Sequence, residues 1–174
     1  TPTPTPAPLS EAFIEWQLID EGVEIISLKV DIYSERVIPN EISGYPVVKI
    51  ADKAFAHNDN LEYVVIPESV TYIGEEAFYG CDLLENVVLP DSVVEIGYEA
   101  FYGCTSLTNV VFSRGLEYIG PWAFASTGLS GFLSIPNSVK YIDRGAFSGC
   151  TNLTGVKLPD DLEVQVPNAI VERS

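Results

Sequence analysis

The residues of this 174-residue chain best suited to covalent chemistry are three cysteines, Cys81, Cys104 and Cys150, and its single histidine, His57. A thiolate beside an imidazole is a nucleophile with its base, the pairing used in acyl transfer. Glu75, Glu76 and Glu99 offer carboxylates for proton transfer. Two short polar runs, HNDN at 57–60 and PDD at 159–161, offer oxygen ligands. Each candidate lacks something its chemistry requires. No third group orients His57, no CxxC or histidine pair is present for zinc, and both polar runs fall short of a calcium loop of about twelve residues. The spacing around the cysteines points elsewhere. IGEEAFYGC at 73–81 recurs as IGYEAFYGC at 96–104, so Cys81 and Cys104 share one register of a repeat.

Self-alignment extends that repeat along the chain. Ile50, Ile73, Ile96, Ile119 and Ile142 are spaced by 23 residues. Each is followed four and five residues later by Ala and Phe: Ala54-Phe55, Ala77-Phe78, Ala100-Phe101, Ala123-Phe124 and Ala146-Phe147. Val47, Val70, Val93, Leu116 and Val139 precede the isoleucines, and Pro67, Pro90, Pro136 and Pro159 recur, with Ser113 standing once in their place. Five units at one fixed period predict five stacked coils. Within a coil, LENVVLP at 84–90 reads as a short strand whose Val87 and Leu89 face inward, ended by a proline that cannot donate to a ladder. DSVVEIG supplies a second extended piece with Val93 and Ile96 inward, and EAFYGC closes the coil on a central Phe and a Gly suited to positive φ. One coil alone buries too little apolar surface to offset the entropy of ordering its backbone, so stacking is obligatory.

In such a stack the cysteines form an inward column with Asn58 and Thr127 in the same register. His57 points outward, away from them. Buried free thiols are the expectation. A Cys81–Cys104 disulfide is within reach on strand spacing but poorly served by parallel side chains. The glutamates read as solvated turn positions.

Composition suits a soluble, self-repelling surface rather than a polyanion binder. There are 25 acidic against 9 basic residues, a formal net charge of −16, which disfavours nucleic acid and anionic membranes. No run of 18 apolar residues occurs, so no membrane span is expected. TPTPTPAP at the start, without an initiator Met, reads as a Thr/Pro tether over residues 1–8 on a mature or excised piece. Residues 9–49 read as an N-terminal cap: a hairpin alternating over Phe13–Leu18, turning at Asp20-Glu21-Gly22 and alternating again over Val23–Val30, placed to cover the first sheet edge. The solenoid then spans 50–164, and 165–174 is a degenerate sixth unit or minimal cap with Ala169-Ile170 where Ala-Phe belongs, followed by Glu172 and Arg173. In the unit beginning at Ile119, STGLSGFLSIP replaces the Gly-Cys turn and moves its Leu by one place, which predicts a local bulge.

LLENVVLPDSVVEIGYEAFYGC resembles the bacterial BspA-type leucine-rich repeat, also called the Treponema pallidum type, over about residues 38–164. FIEWQLIDEGVEIISLKV followed by VIPNEISGYPVVKI is similar to that family's N-terminal cap. The resemblance implies a mainly β, right-handed solenoid with 3₁₀ or short helical turns. It also implies a secreted or surface-exposed bacterial protein that binds other proteins, on the host or on bacteria, and it implies no catalytic residue, metal or cofactor.

The residues expected to do the binding alternate outward on the main sheet, as concave-face candidates: Val65, Val88, Val111, Ser134 and Lys157, flanked by Tyr63, Asn86, Asn109, Phe132 and Gly155. The leading expectation is a non-catalytic protein-binding or adhesion module. The alternative is a carbohydrate-binding or spacer module within a larger wall-associated enzyme. That alternative would use a second column, Tyr72, Tyr118 and Tyr141, with Tyr79, Tyr98, Tyr102 and Trp122 around the turns.

Overall fold

The structure, a computed structural model, describes residues 8–28 and 34–165. The 23-residue period becomes a β-solenoid whose coils are joined in three places. The first is a parallel ladder of 34–37, 61–65, 86–88 and 109–111, continued after a break by 131–134 paired with 153–157. The second is a nine-stranded sheet in which the two-residue strands 72–73, 95–96, 118–119, 141–142 and 164–165 pair in parallel after 45–50. Strand 164–165 makes a sixth rung, so the stack exceeds the five coils read from the period by the start of another. Ala169, Ile170, Glu172 and Arg173 lie outside the described residues.

The third junction is built from turns, and it explains why EAFYG is not a helix. Each coil holds two residues of left-handed φ four positions apart, such as Glu76 at 52° with Gly80 at 64°, and Glu99 at 50° with Gly103 at 72°. Glycine tolerates that conformation and glutamate does so at a cost. Consecutive N–H groups consequently point in alternate directions. Those of Ala77, Tyr79 and Cys81 return to the carbonyls of Gly74, Glu76 and Phe78 at 3.3, 3.0 and 3.3 Å. Those of Glu76, Phe78 and Gly80 cross to the next coil's Tyr98, Ala100 and Tyr102 at 2.7, 2.8 and 2.8 Å. A helix cannot propagate through such a pattern, whereas the stack gains three inter-coil bonds per step.

Between these walls the phenylalanines form one spine. Phe55, Phe78, Phe101, Phe124 and Phe147 stack near-parallel, with successive centroids 5.0, 5.1, 5.1 and 5.6 Å apart. All five are buried. Where the second ladder leaves the three central coils, at Gly74, Gly97 and Gly120, the backbones approach closely: a Cβ on Gly74 would lie 2.5 Å from the Ala51 carbonyl carbon.

The expected N-terminal hairpin forms, 14–19 against 22–28, with 22–28 pairing in parallel with 45–50, but Phe13 belongs to a 3₁₀ turn, residues 22–25 are buried without alternation, and Val30 lies outside the described residues. The hairpin caps the second ladder rather than the first. The first ladder is met instead by Pro8, bridged to Val37, and by the Leu9 N–H bonded to the Val37 carbonyl at 2.9 Å. Glu24, nearly buried in the hairpin, is neutralised by Lys49 at 2.8 Å.

Candidate functional site

The first ladder fixes the outward stripe by register. Val65 pairs with Val88 and Val88 with Val111, and beside them Tyr63 pairs with Asn86 and Asn86 with Asn109. Because side chains alternate across a strand, each aligned pair projects from the same side of the sheet. Val64, Val87 and Val110 turn inward and are buried, while Val88 and Val111 are each 49% exposed. Val37 pairs with Val65 and extends the stripe by one rung. Sequence comparison missed Val37 because it lies before the first full repeat, although VIP at 37–39 matches the strand end of later coils.

Phe132, Ser134, Gly155 and Lys157 sit on the separate two-stranded piece, where Phe132 pairs with Gly155 and Ser134 with Lys157. Phe132 is 69% exposed, and its ring covers Gly155 so closely that a Cβ there would lie 3.1 Å from it. The structure thus brings the Val and Tyr/Asn columns together over three coils and sets the last four residues apart. The predicted irregularity is present, with a register shift at Gly131/Phe132, and it is larger than a bulge because 109–111 and 131–134 do not pair. The cause is spacing. In the other coils the Cys-column residue and the next inward Leu are three apart, as in Cys104 and Leu107, but Thr127 and Leu129 are two apart. The chain takes a short cut at Gly128, where a Cβ would lie 2.3 Å from the Thr105 carbonyl oxygen, and regains the extra residue at Gly131, φ 72°.

The candidates for covalent chemistry are placed as wall elements. Cys81, Cys104 and Cys150 are free, fully buried thiols. Their Sγ atoms donate to the carbonyls of Phe55, Phe78 and Phe124 in the preceding coils, each at 3.1 Å. Burial pushes the Cys81 thiol up to about 12 and raises Cys104 and Cys150 as well, the opposite of an activated nucleophile. His57 is exposed and meets Tyr79 edge-on at 5.2 Å between centroids. Glu76 pairs with Lys53 at 3.3 Å, and Glu75 is exposed. In the polar runs, Asn58 Oδ1 accepts from the Asn60 N–H at 3.3 Å and Asp160 accepts from Asn137 at 3.4 Å. Among the described residues, no three His, Cys, Asp or Glu side chains gather closely enough to hold a metal, and no helix is long and apolar enough to cross a membrane.

The tyrosine column on the second ladder is interrupted by charge. Its register runs Lys49, Tyr72, Glu95, Tyr118, Tyr141. Glu95 was legible as the residue 23 positions after Tyr72, but attention to aromatics alone passes over it. Tyr118 donates to Asp143 at 3.1 Å and Tyr141 to Glu163 at 2.5 Å. Burial first, then the bond to Asp143, push the Tyr118 hydroxyl up to about 12.

Comparison with known proteins follows the same outline. The description "BspA type leucine rich repeat region" matches residues 48–170 in 6 copies. Among curated proteins none matches significantly. A solved Treponema pallidum leucine-rich-repeat protein is similar at 33% identity and TM-score 0.81, over 88% of this chain and 84% of that one. A Bacteroides ovatus leucine-rich-repeat protein is similar at 32% identity and TM-score 0.78, and a Faecalibacterium prausnitzii leucine-rich cell surface protein at 27% and 0.66. This chain spans 41% and 44% of the length of those two.

Proposed function

Because the chain belongs to the BspA-type leucine-rich-repeat family, we propose that it is a non-catalytic protein-binding module of a bacterial surface or secreted protein, engaging its partner through the outward face of the first ladder. The observation that carries this reading is the in-register stripe Val65, Val88 and Val111, with Val88 and Val111 half-exposed and Val65 partly exposed. Apolar side chains aligned on an uncovered sheet stand out in a chain with 25 acidic against 9 basic residues, and such patches mark contact sites. The rigid spine beneath holds the stripe in place, which lowers the entropy cost of binding. The likeness to a solved leucine-rich cell surface protein supports a place outside the cell for this one.

The test is the triple variant Val65→Asp, Val88→Asp, Val111→Asp, with the milder Val→Thr set as a folding control. Surface proteins captured by the parent should be lost from the Asp variant and retained by the Thr variant, at matched melting temperature. Unchanged capture by the Asp variant places the interface elsewhere. The carbohydrate reading is less well supported, because Tyr72 is covered by Lys49 and the hydroxyls of Tyr118 and Tyr141 are engaged by carboxylates.

A further inference from the structure

The second ladder carries an arrangement that the valine stripe does not explain. At the start of its outward column the protein shows what that column holds. Lys49 Nζ lies 4.9 Å from the centre of the Tyr72 ring and 2.8 Å from a carboxylate oxygen of Glu24. Ring and carboxylate together satisfy one ammonium, by cation–π attraction and by a charge-assisted hydrogen bond. Further along the same register the two elements recur, with no lysine in the column. Val94, Glu95, Glu117, Tyr118 and Tyr141 line an open depression of about 380 Å³. Its lining combines two tyrosine rings and a valine with two carboxylates.

The electrostatics separate the two glutamates. Glu117 is engaged by Lys140 at 3.0 Å. Among the described residues, no lysine or arginine forms an ion pair with Glu95. The bond from the Tyr118 hydroxyl to Asp143 fixes that ring against the depression and adds a carboxylate behind it. The geometry points to this depression as a receptor for a primary alkylammonium, specifically a lysine side chain on the surface of a partner protein, seated on Tyr118 and paired with Glu95. The methylene stem would lie on Val94 and Tyr141 while the ammonium sits at the Tyr118 ring beside the Glu95 carboxylate, meeting the same two kinds of group that Lys49 meets in Tyr72 and Glu24. The inference does not rest on the valine stripe, which is a different set of residues.

The probe is a short lysine-containing peptide and its Nε-acetylated twin, titrated into the full chain while ring resonances of Tyr118 and Tyr141 are followed by NMR. The expected result is millimolar binding of the lysine peptide, no shift with the acetylated one, and weakening on going from 0.05 to 0.5 M salt, roughly as surface ion pairs do. Glu95→Gln and Tyr118→Leu should each weaken binding by about fivefold, in line with about 1 kcal/mol for an exposed cation–π or ion pair. Glu68→Gln, which removes the same charge elsewhere, should leave it unchanged. Equal binding of the acetylated peptide, or no effect of Glu95→Gln and Tyr118→Leu in folded variants, overturns the assignment. Shifts produced by butylammonium but not by the peptide overturn the protein-borne source. The Val→Asp triple variant should retain this binding, so failure of one site is distinguishable from failure of the other.

Discussion

Coils 61–111 and the junction between 111 and 131 are made from one repeat, yet they differ in what holds them. In the first region all three junctions are intact, since both ladders pair and the turns exchange N–H groups, and the phenylalanines stack between them. At the junction the first ladder parts, while Phe101 and Phe124 remain 5.1 Å apart and Phe101, Gly103 and Glu99 still donate across to the next coil. The spine, the turn array and the second ladder, in which 95–96 still pairs with 118–119, therefore suffice to pass the stack from one coil to the next. The first sheet is the part that can change shape without ending the solenoid, and it is also the part that carries the proposed contact residues.

The sharpest way to break this comparison is to attack the spine. Phe101 is fully buried between two stacked rings, so Phe101→Ala should cost about 3–5 kcal/mol, the range for a buried aromatic truncated to alanine. Phe132→Ala, at the parted sheet and 69% exposed, should stay within about 0.5 kcal/mol. Urea unfolding of both variants measures the difference. Comparable losses would mean that the sheet, rather than the spine, carries the continuity.

How far the sequence led can be judged at the same residues. Phe78, Phe101 and Phe124 announced a spine through type and period alone, because one large residue per coil has only the centre to occupy. The inward Val87 and the outward Val88 followed from strand alternation. The turn array was half hidden: Gly80, Gly103 and Gly149 mark its second left-handed position, but the first is held by Lys53, Glu76, Glu99 and Trp122, with glycine only at Gly145. A serine column was likewise silent. Ser69 and Ser92 donate to the carbonyls of Val47 and Val70 at 2.7 Å, and where Gly115 interrupts that column Ser113 bonds Val93 instead. The substitution of Ser113 for the recurrent proline thus restores a bond that glycine cannot make. The parting of the first ladder was visible only as a shifted Leu129, and its extent depends on how the backbone recovers one residue, which periodicity does not encode.

A second difference separates the two regions in the cysteine column. Cys81 and Cys104 bond the preceding coil, whereas Thr127, beside the break, turns its hydroxyl back to Phe124 of its own coil at 2.8 Å. Thr127 thus interrupts a column of thiols whose ionisation opposes folding, with Cys81 and Cys104 before the break and Cys150 after it. The sign follows from the raised value. Cys81 keeps its proton to about 12 in the fold, so its contribution is fully present below about 8.5, the ordinary thiol value, and is lost as pH rises through about 12. Between pH 7.5 and 9.5 each such thiol should lower the unfolding free energy by about 1.4 kcal/mol. Cys81→Ala with Cys104→Ala should make that slope shallower, leaving the share of Cys150, and Thr127→Ala should leave it as steep as in the parent. A parent whose stability is level across this interval would show that water reaches the column.

The smallest effect discriminates most finely between a parted sheet and a merely shifted one. Amides of 86–89 sit in a strand paired on both sides, including the Leu89 N–H bonded to the Val111 carbonyl at 3.0 Å. Those of 109–112 face a neighbour with which their strand does not pair. Both segments rest on the same spine, so burial alone does not distinguish them, and a difference in exchange isolates the ladder itself. Local opening is governed by the bonds and contacts that must be given up, and a strand paired on one side gives up fewer. Native-state hydrogen exchange should therefore be faster over 109–112 than over 86–89, while Phe101 and Gly103, whose N–H groups cross to Ala123 and Ala125 at 2.8 and 3.0 Å, stay as protected as Phe78. Equal protection of the two ladder segments would mean that the coils close up in solution. The stripe would then run unbroken from Val65 to Lys157, and Phe132 would belong to it.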